Sequence, residues 1–345
     1  MRRGLMAWDA NEVPVATIEA RQEKLREAMR AQGLDAFIAY TNIARPAAVS
    51  WMSGFTPYWS EGIYCLPLDG TPIFATALSK RVAEWITTVM AVGEVAPTPQ
   101  PGVVIGKMLA ERGFKKAGIL ELDELPAKQA TALMQNAPDT HFSDAAELFA
   151  PIRAKADEAE LAMIKRASVL AHECVERADP QCATAQELIA PCELHARLSG
   201  AEEIFINVAP DLSESARLKR TDTATTLGTT FALRLSIAYK AGWVRLTRSF
   251  ARTSVGASDF ARLQEVFDSF TPRPGNSVDG MLQQLFADNG ATLKSWHIEQ
   301  PRGGYPLAIV AGSNVQNTWT AEAPAVLSVD VETASGHWLA ARPLF

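Results

Sequence analysis

The chain reads as an α/β half followed by an α+β half. From Ile18 to Leu122, amphipathic segments alternate with short apolar runs, as in a sheet covered by helices on both faces. After Asp157, two long helical stretches come first and apolar strands follow. The length agrees, because 345 residues suggest two domains at about 100–200 residues each, or one large one. The boundary is expected near Pro151, giving domains 1-150 and 151-345.

The elements follow in order. Residues 17–33 are predicted as a helix, since Ile18, Leu25 and Met29 share one face and Gly33 ends it. Residues 34–40 are an apolar run suited to a buried strand. Residues 62–67 and 72–76 flank Asp69-Gly70, a hairpin signal. Helices are expected at 80–90 and 102–112, then a strand at 117–122. In the second half, helices are expected at 157–178 and 184–198. Strands follow at 204–208, 229–235 and 243–250, helices at 258–270 and 277–289, and last strands at 307–310 and 325–331. Gly303-Gly304-Tyr305-Pro306 reads as a turn.

Composition excludes several classes. With 48% hydrophobic and 21% charged residues, the chain is not disordered. A net charge of -6 argues against nucleic-acid or anionic-membrane partners. No apolar run is long enough to span a bilayer, and Asp9 interrupts the start before a secretory signal could form. The four cysteines, Cys65, Cys174, Cys182 and Cys192, have no CxxC spacing. They fit a reducing cytoplasm better than a disulfide framework or a zinc site.

The first half carries Arg21, Leu25 and Arg26, then Gly33-Leu34-Asp35-Ala36, Tyr40-Thr41-Asn42 and Met52-Ser53-Gly54-Phe55. Pro151-Ile152-Arg153 follows, with Lys155, Glu158, Glu160 and Ile164-Lys165. In this order and spacing, these motifs resemble the creatinase, aminopeptidase P and prolidase family of peptidases (family M24). The resemblance covers nearly the whole chain. It implies a creatinase-like α/β N-terminal domain, a pita-bread α+β C-terminal domain and a homodimer. It also implies that the N-terminal domain reaches the neighbour's active site, here through Arg45-Pro46 and the loop from Pro57, Tyr58 and Trp59 to Gly62.

Active peptidases of that family hold two metal ions, and their first two ligands are aspartates ahead of a Thr-Arg-Thr tail. The matching stretch here ends Thr247-Arg248-Ser249, and both aspartate positions hold arginine, Arg234 and Arg245. Arginine stays protonated and has no lone pair to offer a metal. Hard divalent ions need carboxylate oxygens or imidazole. The expectation is therefore no metal and no cofactor. At the other ligand positions the resemblance points to His297 and Asp330, with Glu332 close behind. The last ligand glutamate has no counterpart before Phe345, so it is missing or the sequence is truncated. Creatinase, a metal-free member, uses a histidine where this chain has Arg217.

Three functional readings follow. The first is a metal-independent hydrolase acting on a C–N bond of a small carboxylate-bearing substrate. Arg217, Arg234 and Arg245 would bind the anion, since guanidinium groups match carboxylates in bidentate pairs. Tyr239 and Trp243 would wall the pocket. His297 would move protons with Asp330 or Glu332, because imidazole titrates near neutrality. The second reading is a non-catalytic descendant that binds a ligand or partner protein. Its arginines would pair with Asp330 and Glu332, and its histidine and aromatics would be packing residues. The third is an Xaa-Pro metallopeptidase using Asp211 and Asp222, which have the right separation but lie in a polar stretch.

Overall fold

Alternation along strands and helical spacing along helices decide which side chains go inside. The computed structural model describes residues 8–56, 60–91, 93–222, 224–273, 277–315, 319 and 324–345. They group into two compact units. One ends at Glu160 and includes Pro301–Pro306; the other comprises Leu161–Gln300 and Leu307–Phe345. The boundary expected near Pro151 falls inside a helix.

The first unit is α/β. Helix α1 (Val15–Gln32) buries Ile18, Leu25 and Met29. Gly33 closes it in the left-handed region, at φ 65°, and donates its N–H back to the last turn. The sheet is built from β1 (Ala36–Thr41), β2 (Gly62–Pro67), β3 (Ile73–Thr76), β4 (Glu94–Pro97), β5 (Lys116–Ile119) and β6 (His141–Asp144). Its order is β4-β3-β2-β1-β5-β6. The central strand β1 is antiparallel to β2 and parallel to β5. Phe37 and Ala39 join one core with Leu25, Met29 and Trp51. Ala36 and Ile38 join the other with Ile105, Leu109 and Leu133. Both faces are therefore covered, by α1, α2 (Ala47–Ser53), α3 (Lys80–Val89) and α6 (Ala146–Arg153) on one side and by α4 (Pro101–Glu111) and α5 (Ala127–Asn136) on the other.

Several motif residues of this unit are structural. Arg21 donates to both oxygens of Asp157, at 2.6 and 3.0 Å, with its guanidinium over the Trp51 ring. Arg153 pairs with Glu160 at 2.8 Å. The turn at Gly303-Gly304 packs on Glu121, which accepts the Gly304 N–H at 3.0 Å. Arg45 pairs with Glu121 and Glu124 and lies over the Tyr305 ring, so its guanidinium is engaged inside this unit. Pro57, Tyr58 and Trp59 lie outside the described residues.

The second unit is α+β. Seven strands, β7 (Glu203–Ala209), β8 (Thr230–Tyr239), β9 (Gly242–Ala251), β10 (Thr292–Arg302), β11 (Tyr305–Gly312), β12 (Ala325–Thr333) and β13 (Gly336–Leu344), pair in the order β11-β10-β12-β13-β9-β8-β7. The helices are α7 (Glu158–Val175), α8 (Ala185–Leu198), α9 (Ser254–Ser269) and α10 (Val278–Ala287). Thr184 and Glu187 form a capping box that starts α8. One face of the sheet is apolar. Its Trp296, Ile298, Leu327, Val329 and Trp338 pack on Phe260, Phe267 and Phe286 of α9 and α10. Trp338 meets Phe267 edge-on at 5.8 Å.

The β8–β9 turn has a strict local requirement. Lys240 and Ala241 both sit at positive φ, 46° and 65°. Gly242 follows where α7 runs against the turn, and a Cβ there would lie 2.7 Å from the Met163 carbonyl carbon.

Strands β10 and β13 were not expected, and both contain proline. Pro301 lies beyond the last β12 pairing of β10, at Glu299. Pro343 faces Val326 of β12, while β13 registers with β9 at Ala341. Proline is tolerated in a sheet where no ladder hydrogen bond is required of it. All four cysteines are free and buried. Burial pushes the thiols of Cys65 and Cys192 up to about 12 and that of Cys174 to about 11. Among the described residues, no helix is long and apolar enough to cross a membrane.

Candidate active site on the polar face of the seven-stranded sheet

The residues that alternate with the apolar set form the sheet's other face, and they are largely polar. A transverse row runs across six strands through directly paired residues. It passes from Asn207 to Arg234, Thr247, Ala341, Ser328 and His297. The adjacent row contains Ser236 opposite Arg245 and Val326 opposite Glu299. Arg234, Arg245 and His297 thus share one face because each falls on the same strand parity. Between Arg245 and Glu299 this second row holds Pro343, paired with Val326, and long side chains from either end reach across them.

Arg245 and Glu299 do meet. The guanidinium donates to Glu299 Oε1 through Nη1 and to Ser236 Oγ through Nε at 3.0 Å. Glu299 is only 5% exposed, and its second oxygen, Oε2, has no hydrogen-bond partner. That oxygen lies 3.9 Å from His297 Nε2. The hydroxyl of Ser328, opposite His297, is likewise buried without a partner.

Arg234 is differently placed. Its Nε donates to Thr247 Oγ1 at 3.3 Å, and no described residue accepts from its two terminal nitrogens. Burial, and then the cation of Arg245, lower its pKa to about 10, against the opposing pull of Glu299. It is still charged at neutral pH. Burial also lowers the His297 pKa, helped by Arg234 and Arg245 and opposed by Glu299, so His297 is neutral at pH 7. The cluster holds two guanidinium cations against one carboxylate, a net positive charge that suits an anion.

The other expected residues lie apart from this cluster. Asp330 shares the face but bonds His337 Nδ1 at 2.8 Å. Glu332 is exposed and pairs with Lys294 at 2.9 Å, which lowers its carboxyl pKa. The arginines therefore do not pair with Asp330 or Glu332; Arg245 takes Glu299 instead. Arg217 sits exposed in the loop before β8, and its backbone N–H bonds Ser215 Oγ. Trp243 lies on the site's face, stacked on Phe205 at 5.7 Å. Tyr239 has the opposite parity, and its ring lies by Gly200 at the end of α8. Glu299, Ser328, Ser236 and Thr247 were not anticipated. The i, i+2 spacing of His297 and Glu299 would have marked Glu299 had the segment been read as a strand.

Residues 21–155 match the model of the Creatinase/Prolidase N-terminal domain. The chain superposes on an X-Pro aminopeptidase from Thermotoga maritima with a TM-score of 0.70 at 17% identity, covering 92% of this chain and 94% of that one. It superposes on the prolidase from Pyrococcus horikoshii with a TM-score of 0.71 at 15% identity, covering 94% of both. This is the creatinase–prolidase fold. The same fold appears in the N-terminal domain of the FACT complex subunit SPT16 from chickpea, with a TM-score of 0.65 at 14% identity, covering 95% of this chain and 93% of that one. No curated protein matches the sequence.

The creatinase–prolidase fold raises the question of a metal pair. Among the described residues, no three His, Cys, Asp or Glu side chains come together as a ligand group. In the cluster, two guanidinium groups stand with one histidine and one carboxylate already bonded to arginine, and Asp330 nearby on the face is bonded to His337. This donor set does not fit two divalent ions.

Proposed function

We propose that the chain is a hydrolase of the creatinase–prolidase fold that cleaves a C–N bond in a small carboxylate-bearing substrate without a metal pair. The observation that carries this reading is Arg234. It is a largely buried cation, with both terminal nitrogens unclaimed by described residues, on the same face as a neutral histidine. Arg234 takes the substrate carboxylate in a bidentate contact. His297 accepts a proton from water as the water attacks the substrate carbonyl carbon, and Glu299 Oε2 steadies the imidazolium that forms. The Ser328 hydroxyl donates to the oxygen on which negative charge develops. The C–N bond then breaks, and His297 returns its proton to the leaving nitrogen. The Phe205–Trp243 stack borders the substrate on the same face.

The test is amine release from N-acyl, N-carbamoyl and guanidino acids and from Xaa-Pro dipeptides, in chelator and again after loading with Mn²⁺, Co²⁺ or Zn²⁺. Release in chelator is expected, abolished in His297→Asn and with a raised KM in Arg234→Met. Release that appears only with about two bound metals per chain overturns the reading. One observation favours a second, non-catalytic reading: Arg245 is already neutralised by Glu299. On that reading, the same carboxylates bind at Arg234 and no substrate turns over.

A further inference from the structure

A cavity of 420 Å³ opens between α7 and α9, over β9. Its volume is in the range of small-molecule sites. Arg248, which alternates with Thr247 of the polar face, lines it. Its Nε is buried without a partner, and no described residue accepts from its guanidinium or pairs with it. Gln264 also lines the cavity and is 7% exposed. Its amide nitrogen donates to Asp268 at 2.8 Å, but its Oε1 is buried and unpartnered. Such groups are costly to leave unmatched.

The rim adds two more acceptors. His172 Nδ1 lies 2.8 Å from the Ser168 carbonyl, which can only accept. In the neutral ring the proton is therefore on Nδ1, and Nε2 is left as an acceptor. Glu176, one helical turn on, contributes a carboxylate. The rest of the lining is apolar, from Val175 and Ala178 to Phe250 and Phe260. One cationic donor, three acceptors and an apolar wall are the complement of a zwitterion with a hydrocarbon tail. We infer that this cavity binds a free α-amino acid with an apolar side chain. Arg248 takes its carboxylate, Gln264 Oε1, Glu176 and His172 take its ammonium, and Val175, Phe250 and Phe260 take its side chain. The site is independent of the one at Arg234.

Isothermal titration of the full chain with L-leucine and L-phenylalanine tests this. Saturable binding is expected. Leucinamide, which lacks the carboxylate, and 4-methylpentanoate, which lacks the ammonium, should each bind at least about 10-fold more weakly. Arg248→Gln should weaken leucine at least about 10-fold. Ala261→Trp, on the exposed side of α9 at the rim, should block entry without touching the floor, which covers the case that Arg248→Gln does not fold. Arg234→Met should bind leucine as the parent does. With the anion site at Arg234 removed by Arg234→Met, the inference is overturned if no amino acid binds at about 10 mM, if binding survives adding both Arg248→Gln and Ala261→Trp, or if 4-methylpentanoate binds as tightly as leucine. Loss of binding in Arg234→Met also overturns it, by placing the ligand on the other face.

Discussion

Arg245 of β9 and Glu299 of β10 form an ion pair above the two strands, β13 and β12, that separate them. Strands lie about 4.8 Å apart, so a flat sheet would hold the two backbones roughly 14 Å apart. The pair closes because both long side chains reach over the residues between them in their row, Pro343 and Val326. Glu299→Gln leaves a cation without its partner. The expected cost is about 2–3 kcal/mol in urea denaturation, below the full range for buried pairs because Arg245 keeps some water. Replacing both residues by methionine should restore most of that loss.

Arg234 is the opposite case, a largely buried cation without a bound carboxylate. Arg234→Met should raise stability by about 1 kcal/mol, since an uncompensated charge is removed. Millimolar small carboxylates should raise the Tm of the parent and leave that of this variant unchanged. An unchanged Tm together with an unchanged carboxylate response would remove Arg234 from the anion site.

Burial and the two guanidinium groups hold the His297 pKa below its ordinary value of about 6.5. Between those two values the folded chain holds fewer protons than the unfolded chain. The His297 contribution to stability therefore rises with pH through that window and is lost on acidification below about 6.5. His297→Gln should flatten the pH dependence of unfolding just below about pH 6.5. Equal slopes in parent and variant would show that His297 keeps an unperturbed pKa.

The β8–β9 turn is built from residues that dislike its geometry. Lys240 and Ala241 hold positive φ, where Asn-Gly is preferred in two-residue hairpins. Lys240→Asn with Ala241→Gly should add about 1 kcal/mol to stability. Gly242→Ala should cost more than about 2 kcal/mol, because its Cβ would strike the α7 backbone. Thermal unfolding of the two variants would read these opposite signs directly.

Much of the fold was legible because the apolar patterns are local. The 62–67 and 72–76 hairpin arms and the helix at 80–90 coincide with β2, β3 and α3 to within a residue. Strands β4 and β6 escaped because short, polar edge strands carry little pattern. Strands β10 and β13 each contain a proline, Pro301 and Pro343, which weakens the strand pattern. That weakness in β10 hid the site's main carboxylate. Without a strand pattern over 292–302, nothing in the sequence ties Glu299 to His297, and Asp330 and Glu332 stand out instead. Tyr239 and Trp243 read alike as strand aromatics, and only parity separates them. Arg234 and Arg245 were legible because two arginines at paired aspartate positions are a strong chemical signal, whatever surrounds them.

The buried cysteines have a practical consequence. A thiol attacks as its thiolate, and thiols held near 11 to 12 are almost never ionised at neutral pH. Cys182 is buried as well, and its pKa is also raised. The native chain is therefore close to silent toward alkylating reagents while it stays folded. A cysteine introduced on the rim of the α7–α9 cavity, at Ala261, would be the dominant target for a fluorophore. Occupancy of that cavity could then be followed as a spectral change from one labelled position, without first replacing any of the protein's own thiols.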